Sequence, residues 1–122
     1  MCKKYLSFIL LSLIFSCTLN GGFIKELEYE IEASNINYYV EYDASNNIFP
    51  NAKTKIEYPN KLFWKKQVEI NTNEKQIIKL MIRFKTAGTG KLKIKENICG
   101  YKKILEEAYI ENTQFGFIII TL

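Results

Sequence analysis

Hydrophobic and polar residues alternate with a period of two along much of the chain, the signature of strands with one buried face. Leu27, Tyr29, Ile31 and Ala33 fall on one side and Glu26, Glu28, Glu30 and Glu32 on the other. Ser34-Asn35 is a turn signal, after which Ile36, Tyr38, Val40 and Tyr42 resume the inward set, so the two runs predict a hairpin. Turn formers occupy 43–47. Pro50 and Pro59 then punctuate the chain, which restricts any strand between them to a short or edge position. Residues 62–70 return to strand character, and Lys65-Lys66 interrupts the alternation in the manner of a bulge.

The strongest alternation lies in 76–85, with Ile78, Leu80, Ile82 and Phe84 directed inward and Lys79, Met81, Arg83 and Lys85 outward. Thr86-Ala-Gly-Thr-Gly90 reads as a glycine turn. It leads into 91–98, where Leu92, Ile94 and Ile98 oppose Lys91, Lys93 and Lys95. Cys99-Gly100 reads as a second turn. The stretch 101–109 fits either a helical face of Ile104, Leu105, Ala108 and Tyr109 or a strand paired back across Cys99-Gly100; the two-residue turn favours the strand. Residues 115–122 form a continuous apolar, β-branched run of the kind buried on both faces. Seven or eight short strands at near-regular spacing predict an all-β domain, an antiparallel immunoglobulin-like β-sandwich over 23–122.

The segment before it has a different pattern. Lys3 and Lys4 precede an apolar run from Tyr5 to Phe15, about half of the roughly 20 residues a spanning helix needs, and Ile14-Phe15-Ser16-Cys17 follows. Residues 1–16 therefore read as an export signal. The pattern resembles a bacterial lipobox, with an apolar residue three places before the cysteine and a small one directly before it. That resemblance implies diacylglyceryl transfer to the Cys17 thiol, cleavage before Cys17, and 17–22 as a tether. Sulfur suits the chemistry because a thiolate forms a stable thioether. At about 0.8 kcal/mol per buried methylene, two or three acyl chains hold a protein on a membrane. The alternative is an ordinary secretory signal with a cysteine near its cleavage site.

Cleavage there would remove Lys3 and Lys4 and lower the formal charge of +4 by two. That balance is too mild for a nucleic-acid binder, whose domains carry clustered basic residues and higher pI. It would also leave Cys99 as a solitary thiol without an intrachain partner. The sequence contains no histidine, which removes Ser-His-Asp and Cys-His arrangements and the commonest metal ligand. The four alternating glutamates share one side of a strand and do not converge as an acid-base pair must. No metal site, cofactor or enzymatic activity is expected.

Two binding surfaces are legible. If 76–85 and 91–97 pair through the glycine turn, then Lys79, Arg83, Lys85, Lys91, Lys93 and Lys95 share a sheet face. Such a face would meet anionic headgroups at about 1 kcal/mol per cation, or pair across strands with the glutamate row. Tyr38, Tyr39, Tyr42, Phe63 and Trp64 would line a ligand groove or fill the core.

The segments YEIEASNINYYVEYDASNN, LFWKKQV and GKLKIKENICGYKK, followed by the apolar run at 115–122, resemble in order the elements of MmpS-like envelope proteins. That resemblance implies a small β-sandwich acting as an accessory of an RND-type membrane transport protein, without catalytic residues. The expectation is a non-enzymatic lipoprotein of the cell envelope, anchored through acyl chains on Cys17. Thr18, in place of an inner-membrane retention aspartate, favours the outer membrane. A binding module for a lipid or other apolar small molecule is the alternative.

Overall fold

Twenty-two consecutive residues form one strand, β5 (Ile77–Ile98), around which the other elements are arranged. The structure is a computed structural model and describes residues 24–46 and 49–122. Besides β5 it contains β1 (Ile24–Ala33), β2 (Tyr38–Asn46), β3 (Phe49–Glu57), β4 (Phe63–Asn71) and β6 (Tyr101–Thr121). All six belong to one antiparallel, curled sheet ordered β3-β2-β5-β1-β4, with β6 on the other side of β5. The expected leader, Cys17 and the tether lie outside the described residues.

The predicted glycine turn at 86–90 is absent, because β5 runs through it. Gly88 and Gly90 permit close packing at a bend instead. A Cβ on Gly88 would fall 2.4 Å from the Phe84 ring, and one on Gly90 would fall 3.0 Å from the Glu32 carbonyl oxygen. For the same reason β1 and β2 do not form the predicted hairpin. β2 pairs with the first half of β5 (Tyr38↔Phe84 to Tyr42↔Leu80), and β1 pairs with the second half (Ala33↔Gly90 to Glu26↔Asn97). They follow β5 end to end, turning with it at 34–37. Backbone bonds from Ser34 N to Thr89 O (2.9 Å) and from Lys85 N to Asn37 O (2.8 Å) close that corner, as does Thr89 N donating to Ser34 Oγ at 2.9 Å.

β6 follows β5 through the bend, from Tyr101 opposite Ile98 to Thr121 opposite Ile77. Residues 101–109 are therefore strand. The link is a two-residue turn with φ of 52° at Cys99 and 90° at Gly100, the doubly positive geometry of type I′. Merging segments into β5 and β6 leaves six strands among the described residues, where the spacing suggested seven or eight.

The curl brings β2 against β4, with the Tyr42 and Trp64 rings 5.3 Å apart. Between them lies the core, including Leu27, Tyr29, Ile31, Val40, Ile70, Ile78, Leu80, Ile82, Leu92 and Ile94, each 1 % exposed or less. Burying each aliphatic side chain contributes about 1.5–3 kcal/mol. Ile36 and Ile98, expected inside, are 44 % and 41 % exposed at the corner and the hairpin end. β4 pairs with β1 without a register shift at Lys65-Lys66. Lys66 keeps its inward parity, and at the sheet margin its Nζ lies 3.4 Å from Glu57. β3, which contains Pro50 and ends before Pro59, is an edge strand as expected.

Candidate binding groove and the charged sheet face

On the outer face of the first half of β5, planar side chains form a row across the sheet. Tyr39 on β2 and Phe115 on β6 both stand opposite Arg83 on β5. The Arg83 guanidinium carbon lies 5.2 Å from the Phe115 ring centroid, a cation–π distance. Beyond β2 the row continues to Tyr58, whose ring centroid is 5.6 Å from that of Tyr39. At the other end Phe117 follows Phe115 at 5.4 Å.

Tyr58, Tyr39 and Arg83 of this row line one side of an open groove of about 650 Å³, within the range typical of small-ligand sites. Arg83 and Lys85 supply two cations, while Asn37, Asn60 and Gln114 supply amides. The rim is fixed by its backbone. Asn60 adopts φ of 54° directly after Pro59, and Tyr38 Oη donates to Lys61 O at 2.6 Å, tying the β3–β4 connection to β2. Burial holds the Tyr38 phenol above its ordinary pKa.

The five aromatics singled out from sequence divide between core and surface. Tyr38, Tyr42 and Trp64 are core, Phe63 is 45 % exposed on β4, and Tyr39 alone combines a groove position with an outward face. Sequence reading missed Tyr58, Asn60 and Gln114. Tyr58 carried a faint signal, an aromatic before proline outside any alternating run. The run 115–122 is not buried on both faces either. Gly116 and Ile118 are buried, but Phe115, Phe117 and Ile119 are 39 %, 48 % and 48 % exposed, since among the described residues β6 has a strand on one side only.

The six cations lie along one bent strand, not on two paired ones. Lys79 is 3.8 Å from Glu41, Arg83 stacks on Phe115, and Lys85 is exposed at the groove. Lys91 and Lys93 meet Glu107 at 3.7 and 3.9 Å. Lys95 meets Glu30 at 2.5 Å, and this bond holds its ammonium above the ordinary lysine range. Of the glutamate row, Glu28 is not solvated: it is 1 % exposed. Lys65 and Lys102 approach it at 3.3 and 2.8 Å.

In the uncleaved chain Cys99 is disulfide-bonded; the two other cysteines of the sequence lie outside the described residues. Among the described residues no cluster of three or more acidic or thiol groups could hold a metal ion, and no helix is long and apolar enough to cross a membrane. No protein-family model, curated protein or solved structure matches the chain.

Proposed function

We propose that this protein is a lipid-anchored, non-enzymatic component of the cell envelope, held to the outer membrane through Cys17, that works by contact with a partner protein as an accessory to an RND-type membrane transport system. The supporting observation is the side of β6 away from β5, which pairs with no other strand among the described residues. From Thr113 to Leu122 the strand carries no charged residue and no proline, and Phe115, Phe117 and Ile119 project together from it. Edge strands of monomeric proteins are ordinarily protected by charge, proline or a bulge, and an uncharged, β-branched edge favours addition of a partner's strand. The enclosure of the core between β2 and β4 further supports reading the curled sheet as a sandwich-like domain.

Expression of the full chain with labelled palmitate, fractionation, and co-purification from crosslinked membranes tests this. The proposal expects label and membrane attachment that Cys17→Ser abolishes, and capture of a large membrane protein that Phe117→Lys abolishes. Unlabelled protein, or capture indifferent to Phe117, overturns it.

A further inference from the structure

We infer that the groove beside the Tyr58–Tyr39–Arg83–Phe115 row is a binding site for an acidic oligosaccharide, a short chain of sugar rings bearing carboxylates. The groove borders β6 through Gln114 and Phe115, but its ligand binding is read on the isolated chain and does not depend on the partner proposed above.

Three features carry the inference. The first is apolar and flat: the Tyr39 and Tyr58 rings lie 5.6 Å apart and tilted by 45°, and Tyr58 is 75 % exposed. An exposed tyrosine backed by the half-buried Tyr39 offers a broad ledge to another ring at small conformational cost, since each side chain has two torsions to fix. The second is polar and bifunctional. Asn37, Asn60 and Gln114 line the same groove, and each amide both donates and accepts, which matches a hydroxyl, itself donor and acceptor. The third is charge. Arg83 and Lys85 sit on the same strand two residues apart, and a guanidinium pairs a carboxylate through two parallel hydrogen bonds. Arg83 is held in place by Phe115 at 5.2 Å, so little of its freedom remains to be lost on binding.

The combination discriminates among ligands. A lipid chain would leave three amides and two cations unpaired against hydrocarbon, at a desolvation cost for each. Single-stranded nucleic acid would use the rings, but it brings a phosphate with every nucleotide and draws its affinity from many cations, whereas the groove holds two. Sugar rings with an occasional carboxylate use the ledge, the amides and the cations together.

Calorimetric titration of the detergent-solubilised full chain with tetragalacturonate, maltotetraose, oligothymidylate and inorganic polyphosphate tests the site. Tetragalacturonate should bind, and maltotetraose should bind at least about tenfold more weakly. Tyr58→Ala, at a position too exposed to endanger the fold, should weaken tetragalacturonate about five- to tenfold. Arg83→Gln should bring the acidic and neutral sugars to similar affinities. Absence of tetragalacturonate binding, equal binding of the two sugars by the unaltered protein, insensitivity to Tyr58→Ala, or tighter binding of oligothymidylate or polyphosphate would overturn the inference.

Discussion

Glu28 on β1 and Lys102 on β6 meet at 2.8 Å on the outer face, reaching over β5, which separates their strands. Lys65 on β4 approaches the same carboxylate at 3.3 Å from the opposite side. One buried acid thus ties β4, β1 and β6 together across β5. Burial alone would raise its pKa, but hydrogen bonds from Lys102, Lys65 and Gln67 outweigh burial and hold the carboxyl below the ordinary glutamate range. Glu57 behaves alike: burial pushes it up, while the Tyr42 hydroxyl and Lys66 bring it down further.

An acid limb of stability follows. A carboxyl whose folded pKa is depressed stabilises the fold above its unfolded value, near 4.5, and that contribution is lost as pH falls through the folded pKa. Urea midpoints measured from pH 7 to pH 2 should therefore fall in the acid range. Glu28→Gln should lower stability by about 1–3 kcal/mol at pH 7, the usual worth of hydrogen bonds to a charged group, and should flatten the decline. An unchanged acid slope in this variant would show that Glu28 is not a source of the linkage.

The alkaline side depends on tyrosines. Tyr29 is fully buried and donates to the Asp43 carbonyl oxygen at 2.5 Å; burial and the nearby Asp43 charge raise its pKa far above 10. Tyr42 is raised too, by burial and by its bond to Glu57. A raised folded pKa gives stability that is complete below the unfolded value and lost as pH climbs toward the folded one. Tyr29→Phe should cost about 1 kcal/mol at pH 7 for the lost hydrogen bond and make stability less steep above pH 10, readable by thermal melts between pH 8 and 11.

The bend in β5 is tested by filling its glycine. A methyl at Gly88 would fall 2.4 Å from the ring of Phe84, a core side chain 2 % exposed, which must shift to admit it. Gly88→Ala should destabilise by about 1–3 kcal/mol, the range for overpacking a core. Adding Phe84→Leu should recover part of the loss, although Phe84→Leu alone destabilises. Two losses that simply add would contradict the proposed overlap.

The same glycines show what a single sequence conveys. Period-two alternation in Gln76 to Lys85 placed Ile78, Leu80, Ile82 and Phe84 inside, because the face of a side chain is a local property of the strand. Whether Thr86–Gly90 reverses or merely bends the chain is not local. Glycine serves both, and the outcome depends on Phe84 and Glu32 packing against it. Once that segment is continuous, β1 and β2 must follow it, so one misread turn also altered a hairpin, the strand count and the grouping of six cations. The groove was legible in part for a related reason: Tyr39 announced an outward aromatic, but its alignment with Arg83 and Phe115 arises from registers between strands distant in sequence.

Cys99-Gly100 offers the sharpest local test, because the turn requires left-handed backbone at both positions. Asparagine tolerates that region far better than a β-branched residue. Cys99→Asn and Cys99→Val both abolish the disulfide, so the difference between them reports the turn alone. Cys99→Asn should be the more stable by about 1 kcal/mol or more, since a β-branched residue at positive φ is strained, and Gly100→Ala should cost more than its empty surroundings suggest, because nothing lies within 4 Å of the added methyl yet φ is +90°. Hydrogen exchange would then localise the effect. Amides of Lys102 to Glu106 and of Ile94 to Asn97 should exchange faster in Cys99→Val than in Cys99→Asn, while those of Ile78 to Ile82, at the far end of β5, should not distinguish the variants. Equal stability of the two variants would mean that the hairpin is held by pairing along β5 and β6, with no contribution from the turn.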